Sequence, residues 1–208
     1  MNLIDMEVAK YLEVLKSDAP APGGGSVSAL AGAQGVALFI MVADLTIGKE
    51  KYSEVWDICK EVKEKGERLY KELVLAVDKD TEAFNLIANA FKMPKTTDEE
   101  KAARRKAIDE GTLVATEVPY NTMKLGFEGL ILAKSMIGKS NSNAASDLGV
   151  AILNLVDCIK GAWLNVKINL PGVKSSEKVE FYQSEGEKMY HEADKIGKQL
   201  YDEILKSL

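Results

Sequence analysis

The sequence predicts an all-α fold, with residues 1–208 forming a single domain in which long helices pack as a bundle. Three observations carry this reading. Apolar residues recur at helical spacing along most of the chain. The prolines, at 20, 22, 94, 119 and 171, punctuate those stretches. No alternating stretch marks a strand, and no repeat or low-complexity linker divides the chain.

Taken in order, residues 3–16 place Leu3, Val8, Leu12 and Leu15 on one side of a first helix. Residues 25–47 form an apolar helix entered through the turn PGGGS. Residues 51–92 keep helical period without proline, as one very long helix or two broken near Gly66. Thr97 and Glu100 fit a capping box, and the helix they start runs toward Gly138 with a kink expected at Pro119. Residues 143–170 form a further helix, stopped by Pro171 and Gly172. Residues 175–207 close the chain with Met189, Ala193, Ile196, Leu200 and Ile204 on one face.

Composition narrows the function. Hydrophobic residues make up 46% of the 208 and charged residues 28%, which suits a cored, soluble domain. A net charge of -5 argues against nucleic-acid binding, which needs a basic face. With one histidine, His191, and two separated cysteines, Cys59 and Cys158, a metal site is not expected. The same residues leave little room for Ser-His-Asp or Cys-His catalysis, and His191 reads as an exposed helix residue. Two cysteines outside any CxxC and an N-terminus unlike a signal peptide point to the cytoplasm. The apolar run 27–43 contains Ser28 and Gln34 and ends at Asp44, and no other segment resembles it. It reads as a buried helix rather than a membrane span. The glycine turn is not a Walker-type phosphate loop, because G-x-x-x-x-G-K-[ST] is absent.

Several polar residues stand where the pattern wants apolar ones. Asn143, Asp147, Asn154, Asp157, Asn165 and Asn169 collapse into one stripe on an otherwise apolar helix. The stripe reads as ligand-facing rather than solvated, because it lacks the Lys and Glu of the chain's solvated faces. Asp78, Glu82, Asn85 and Asn89 share a solvated face, opposite an inward face of Leu73, Ala76, Phe84, Ile87 and Phe91. Asp80 falls within that inward face, either as an ion pair with Arg104 or Arg105 or as a functional carboxylate. Lys49 and Lys51 follow a helix C-terminus, where cations suit the dipole and could also meet an anionic ligand tail. Ser28, Gly32 and Gly35 share a face without bulk, the mark of a tight helix crossing, a dimer contact or a ligand's close approach.

PGGGSVSALAGA, MVADLTIGKEKY, DTEAFN and SNAASDLGVA ending in NVKINL, in this order, resemble the cyclodeaminase domain of the formiminotransferase-cyclodeaminase family. That family includes the stand-alone methenyltetrahydrofolate cyclohydrolases. The resemblance runs from about residue 5 to 205, departs at Asp44, where asparagine is usual, and is loose around Lys139–Asn141. It implies an all-α homodimer acting on a reduced folate, with no metal or other cofactor beyond that tetrahydrofolate substrate, and with no nucleic-acid or membrane partner. The expected activity is formiminotetrahydrofolate cyclodeamination, giving 5,10-methenyltetrahydrofolate and ammonia. The alternatives are cyclohydrolysis of the methenyl compound to 10-formyltetrahydrofolate, or a non-catalytic folate-binding module. Asp147, with Asp80 second, would handle protons and stabilise the cation. Gly23, Gly24, Gly25 and Ser26 would present backbone N–H groups to an anion. Asn143, Ser146, Asn165 and Asn169 would contact the pterin, and Lys49 or Lys51 the glutamate tail.

Overall fold

The computed structural model describes residues 2–208 and contains six α-helices. They are α1 (Val8–Leu15), α2 (Gly24–Asp44), α3 (Trp56–Lys92), α4 (Asp98–Ser135), α5 (Ala145–Asn169) and α6 (Ser176–Ser207), with no strand among the described residues. Short 3-10 turns precede α1, α3 and α5 and follow α5.

Helices α2 to α5 form a square in which α2 packs on α3 and α5, and α4 packs on the same two. Every neighbouring pair runs antiparallel. Gly24 faces Asn165 while Gly35, further along α2, faces Ala151 and Leu155. Gly25 faces Asp80 while Gly66, earlier in α3, packs on Phe39 and Ile40. Helix α6 lies along the outer side of α5, with Gly186 against Trp163 and Gly197 against Val156. The core between these helices is built from Phe39, Leu69, Leu73, Met123, Leu130, Ile152, Leu155 and Ile159, all fully buried.

Local chemistry sets the helix ends. Thr97 and Glu100 form the expected capping box, with Thr97 Oγ1 accepting from the Glu100 N–H at 3.2 Å. Ser175 Oγ accepts from the Lys178 N–H and starts α6. Helix α4 passes through Pro119 as one element. Proline has no N–H, so the Ala115 carbonyl one turn earlier loses its helical donor. The side-chain amide of Asn169 takes that place, donating to Ala115 O at 2.8 Å.

The structure corrects four expectations. Residues 3–16 are a 3-10 turn and a short helix, and the face buried in α1 is that of Tyr11, while Val8 and Leu12 are exposed. The long helix begins at Trp56 and is unbroken at Gly66, where the missing side chain admits Phe39 and Ile40. Phe84 and Phe91 are exposed, because α3 runs on past the start of α2. The run Ser142–Gly172 matches Gly24–Asp44 in being long and apolar enough to span a membrane, so the opening helix is not alone in this. About half of each run is buried within the bundle. His191 is exposed, as expected.

The small-residue face of α2 serves the crossing with α5. A Cβ at Gly32 would lie 2.7 Å from Cys158 Sγ, and one at Gly35 would lie 2.8 Å from the Ala151 carbonyl oxygen. At Gly35 the obstacle is backbone, which cannot turn aside. Gly35→Ala is therefore expected to cost about 2 kcal/mol by overpacking and to lower Tm by about 6 °C. Gly23→Ala, whose Cβ meets open space, leaves Tm nearly unchanged. Thermal unfolding followed by circular dichroism checks both.

Candidate functional site

Gly24 and Gly25 open α2 with no side-chain cap from their own segment. The first-turn amides of a helix need an outside acceptor, and α3 supplies one. Asp80 Oδ2 accepts from the Ser26 N–H at 2.9 Å and from Ser26 Oγ at 3.3 Å, while the Ser26 hydroxyl also donates to Val77 O at 2.8 Å. Asp80 makes no ion pair with Arg104 or Arg105, so that alternative is not realised. The anion met by the helix N-terminus is thus the protein's own carboxylate. A Cβ at Gly25 would collide with the Asp80 carboxyl, so only glycine lets α2 close onto α3 here.

Burial pushes the Asp80 pKa above its ordinary value, and the two Ser26 hydrogen bonds hold it down in part. Beside it lies a group absent from the sequence reading. Tyr11 is 6% exposed, and its hydroxyl has no hydrogen-bond partner among the described residues. Its pKa is raised by burial and by the nearby charge of Asp80. Nothing in the sequence around Tyr11 marks it, because the contact depends on how α1 folds back on the bundle.

Asp80 borders a cavity of about 290 Å³. Pro20, Ala21, Gly23 and Gly24 form one wall, Ala83, Phe84 and Ile87 of α3 another, and Ala115, Asn165, Ile168 and Asn169 the rest. Asn165 donates its amide N–H to Gly161 O at 2.9 Å, and Asn169 donates to Ala115 O and to Asn165 O. Both amide donors of Asn169 are occupied and Asn165 keeps one N–H unbonded, while no donor among the described residues reaches either Oδ1. The cavity therefore offers a carboxylate, two amide carbonyl oxygens and an apolar-aromatic wall. Such a site suits a flat heteroaromatic ligand with N–H donors and a positive charge. Other clefts are larger: one is lined by the charged Lys101, Arg104, Arg105 and Lys174, and another, between α4 and α6, by Phe127, Ile131, Leu132 and Met189 among lysines and glutamates. No group of three or more potential metal ligands occurs among the described residues.

Within one chain the sequence-predicted residues divide between two ends of the bundle. Gly23, Gly24, Gly25, Ser26, Asp80, Asn165 and Asn169 come together. Asp147, Asn143 and Ser146 stand at the start of α5, and Lys49 and Lys51 just beyond the end of α2. Asp147 and Asn165 are 18 residues apart on one helix, or about 27 Å. Of the two carboxylates expected to handle protons, Asp80 stands beside the glycine turn and Asp147 of the same chain does not. The reason is the antiparallel α2–α5 pairing, which sets the start of α5 beside the end of α2. There the Asn141 N–H donates to Thr46 Oγ1 at 3.0 Å and Asn141 Nδ2 to Leu45 O at 3.1 Å. The far cluster also holds Tyr52, whose phenol oxygen accepts from the Ser142 N–H. Hydrogen bonds from the Ser142 hydroxyl and backbone, helped by Lys51, lower that phenol to about 8. The polar stripe of α5 splits in the same way, with Asn154 bonded to Val150 O and Asp157 exposed mid-helix.

The raised pKa of Asp80 fixes the sign of a pH effect. Its stabilising contribution is complete below the ordinary aspartate pKa and is lost as pH rises through the higher folded value. Asp80→Asn cannot ionise, so it should gain stability relative to the parent between acid and neutral pH, measured by urea unfolding across that range. Ser26→Ala removes a donor to the carboxylate and should move the loss to higher pH.

The chain matches the formiminotransferase-cyclodeaminase family model over residues 7–188. It is 40% identical over 197 residues to a methenyltetrahydrofolate cyclohydrolase of Methylorubrum extorquens, covering 95% of each chain. It is 33% identical over 173 residues to a formimidoyltransferase-cyclodeaminase of Gallus gallus, covering 83% of this chain and 32% of that one. The fold matches the crystal structure of a formiminotetrahydrofolate cyclodeaminase from Thermotoga maritima with TM-score 0.79 at 23% identity, over 98% of this chain and 96% of that one. With the glycine turn, Asp80 and the two asparagines gathered at one cavity, these matches show that the chain belongs to the formiminotransferase-cyclodeaminase family of enzymes.

Proposed function

We propose that this enzyme hydrolyses 5,10-methenyltetrahydrofolate to 10-formyltetrahydrofolate. The observation that carries the reading is the half-buried Asp80 carboxylate in a cavity of amide carbonyls and apolar side chains. The 40% identity over 95% of both chains to a methenyltetrahydrofolate cyclohydrolase supports hydrolysis over other folate chemistry. The pterin would lie against Phe84 and Ile168, with its N–H donors toward Asn165 Oδ1 and Asn169 Oδ1. The substrate's positive charge next to Asp80 lowers the carboxyl pKa on binding and so favours the carboxylate form that can accept a proton. Water then attacks the methenyl carbon and passes a proton to Asp80. The resulting carbinolamine opens at the bond to N5, which takes the proton back from Asp80. The hydroxyl proton leaves to solvent, so one proton is released per turnover.

The second reading is cyclodeamination of 5-formiminotetrahydrofolate, favoured by the family match and by 33% identity to a bifunctional relative. Here N10 attacks the carbon of the protonated amidine and ammonia leaves. The same carboxyl would take the N10 proton and give one to the departing nitrogen. The two substrates, supplied separately, separate the readings. Loss of the methenyl chromophore with 10-formyl product supports the first, and ammonia release from the formimino compound supports the second. Turnover of neither sinks both. Asp80→Asn is expected to lower kcat by about 10²–10⁴-fold with helicity retained. A folded variant working at the parental rate would remove Asp80 from the chemistry.

A further inference from the structure

Tyr11 is a buried titratable group beside the candidate site that the hydrolysis leaves unused. It is the only buried residue of α1, and its neighbours Val8 and Leu12 are exposed. Both ends of the segment that carries it are tied down close to Asp80. Before it, the Leu3 N–H donates to Asp78 Oδ1, and Leu3 and Ile4 pack against Ala29, Ala76 and Val77. After it, Pro20 and Ala21 wall the cavity that Asp80 borders. The phenol is thereby held out of solvent where the charge of Asp80 acts on it.

A tyrosine hydroxyl without a partner is costly to bury, and phenylalanine would fill the same space without that cost. The Tyr11 hydroxyl has no partner among the described residues. An acceptor in the same condition stands nearby. Both Ser26 hydrogen bonds go to Asp80 Oδ2, and no donor among the described residues reaches Oδ1. A carboxylate offers about four acceptor positions, so Oδ1 has room for one donor and for a proton of the reaction. The other groups around Asp80 do not compete for it. Ser26 on α2 is committed to Oδ2, and Asn165 and Asn169 across the cavity are uncharged. On α3, Asp78 is bonded to Leu3, and Lys79 lines a separate cleft with Arg68 and Glu72. No lysine or arginine among the described residues pairs with Asp80. Burial and the Asp80 charge both raise the Tyr11 pKa, so the phenol keeps a proton to donate at neutral pH.

We propose that Tyr11 is a positioning residue for the reacting carboxylate: when Asp80 ionises, the Tyr11 hydroxyl closes onto Oδ1 while Ser26 holds Oδ2. The effect on turnover rests on the folate reading, but the pairing itself does not. Helix α1, seated on this one side chain, settles by the short distance the bond requires. Donors on both oxygens fix the rotation of the carboxylate, and the acceptor position left on Oδ1 takes the proton of the attacking water. Tyr11 keeps its own proton throughout, so the proton balance of the hydrolysis is unchanged.

Tyr11→Phe tests this, because the ring stays and only the hydroxyl goes. At acid pH, where Asp80 is protonated, the Tm of the variant should equal or exceed that of the parent. That advantage should shrink as pH rises through the Asp80 pKa, because only the parent then gains a hydrogen bond. With carboxyl-labelled aspartate followed by carbon NMR, the resonance missing from Asp80→Asn reports Asp80 directly. Its titration midpoint should lie at higher pH in Tyr11→Phe than in the parent. With 5,10-methenyltetrahydrofolate at neutral pH, kcat should fall about 10–100-fold with KM little changed, and the acid limb of the pH–rate profile should move to higher pH. A midpoint that stays in place overturns the proposal. Tyr11→Phe working at the parental rate beside an inactive Asp80→Asn also overturns it, and leaves the folate reading standing. A midpoint that moves, in a protein whose parent turns over neither folate, upholds the pairing of Tyr11 with Asp80 and retires the folate reading instead.

Discussion

The close approach of α2 to α5 governs the rest of the molecule. Gly32 and Gly35 let the two backbones come so near that a methyl group at Gly35 would meet the Ala151 carbonyl. Antiparallel packing at that distance fixes which end of α5 meets which end of α2. Asn165 is thereby set against Gly24, and Asn141 is set against Thr46 and Leu45. The cavity follows from this register and would not survive its slippage by a turn. A bundle held by larger side chains could slide; one seated on missing side chains has little freedom to do so.

Asp80 illustrates how one group can serve structure and chemistry together. Its carboxylate answers the uncapped start of α2, where the helix dipole favours negative charge. The same burial that makes this contact possible opposes ionisation. Burial is the larger of the two effects, so the carboxyl keeps its proton to a higher pH than a solvated aspartate does. Tyr11, near enough to feel the charge of Asp80, adds a buried hydroxyl with no hydrogen-bond partner among the described residues.

Much of the fold was legible in the sequence, because long amphipathic periods and proline positions survive any detail of packing. The capping box at Thr97 and the stop at Pro171 are local chemistry and appear where the residues imply. The α1 face was misjudged because eight residues give too short a period to choose between Tyr11 and Leu12. Of the site, Asp80 stood out as a carboxylate on an apolar face, and Asn165 and Asn169 as amides on an apolar helix. The distance of Asp147 from them was hidden, since a stripe on a helix states direction and says nothing about how far along the axis its members lie. Phe84 looked like core for a related reason: its face was read correctly, but not the point where α2 begins, beyond which that face is left open.

The proline in α4 reaches further than its own helix. By withholding one N–H it leaves a carbonyl that Asn169 satisfies, and so the orientation of a cavity amide is dictated from a neighbouring helix. Restoring an ordinary residue at position 119 would hand that carbonyl back to α4 and release the amide to rotate. The ligand-facing chemistry of this chamber is therefore set partly by a residue that does not line it, and Pro119 and Asn169 act as one structural unit: exchanging either alone alters what the cavity presents.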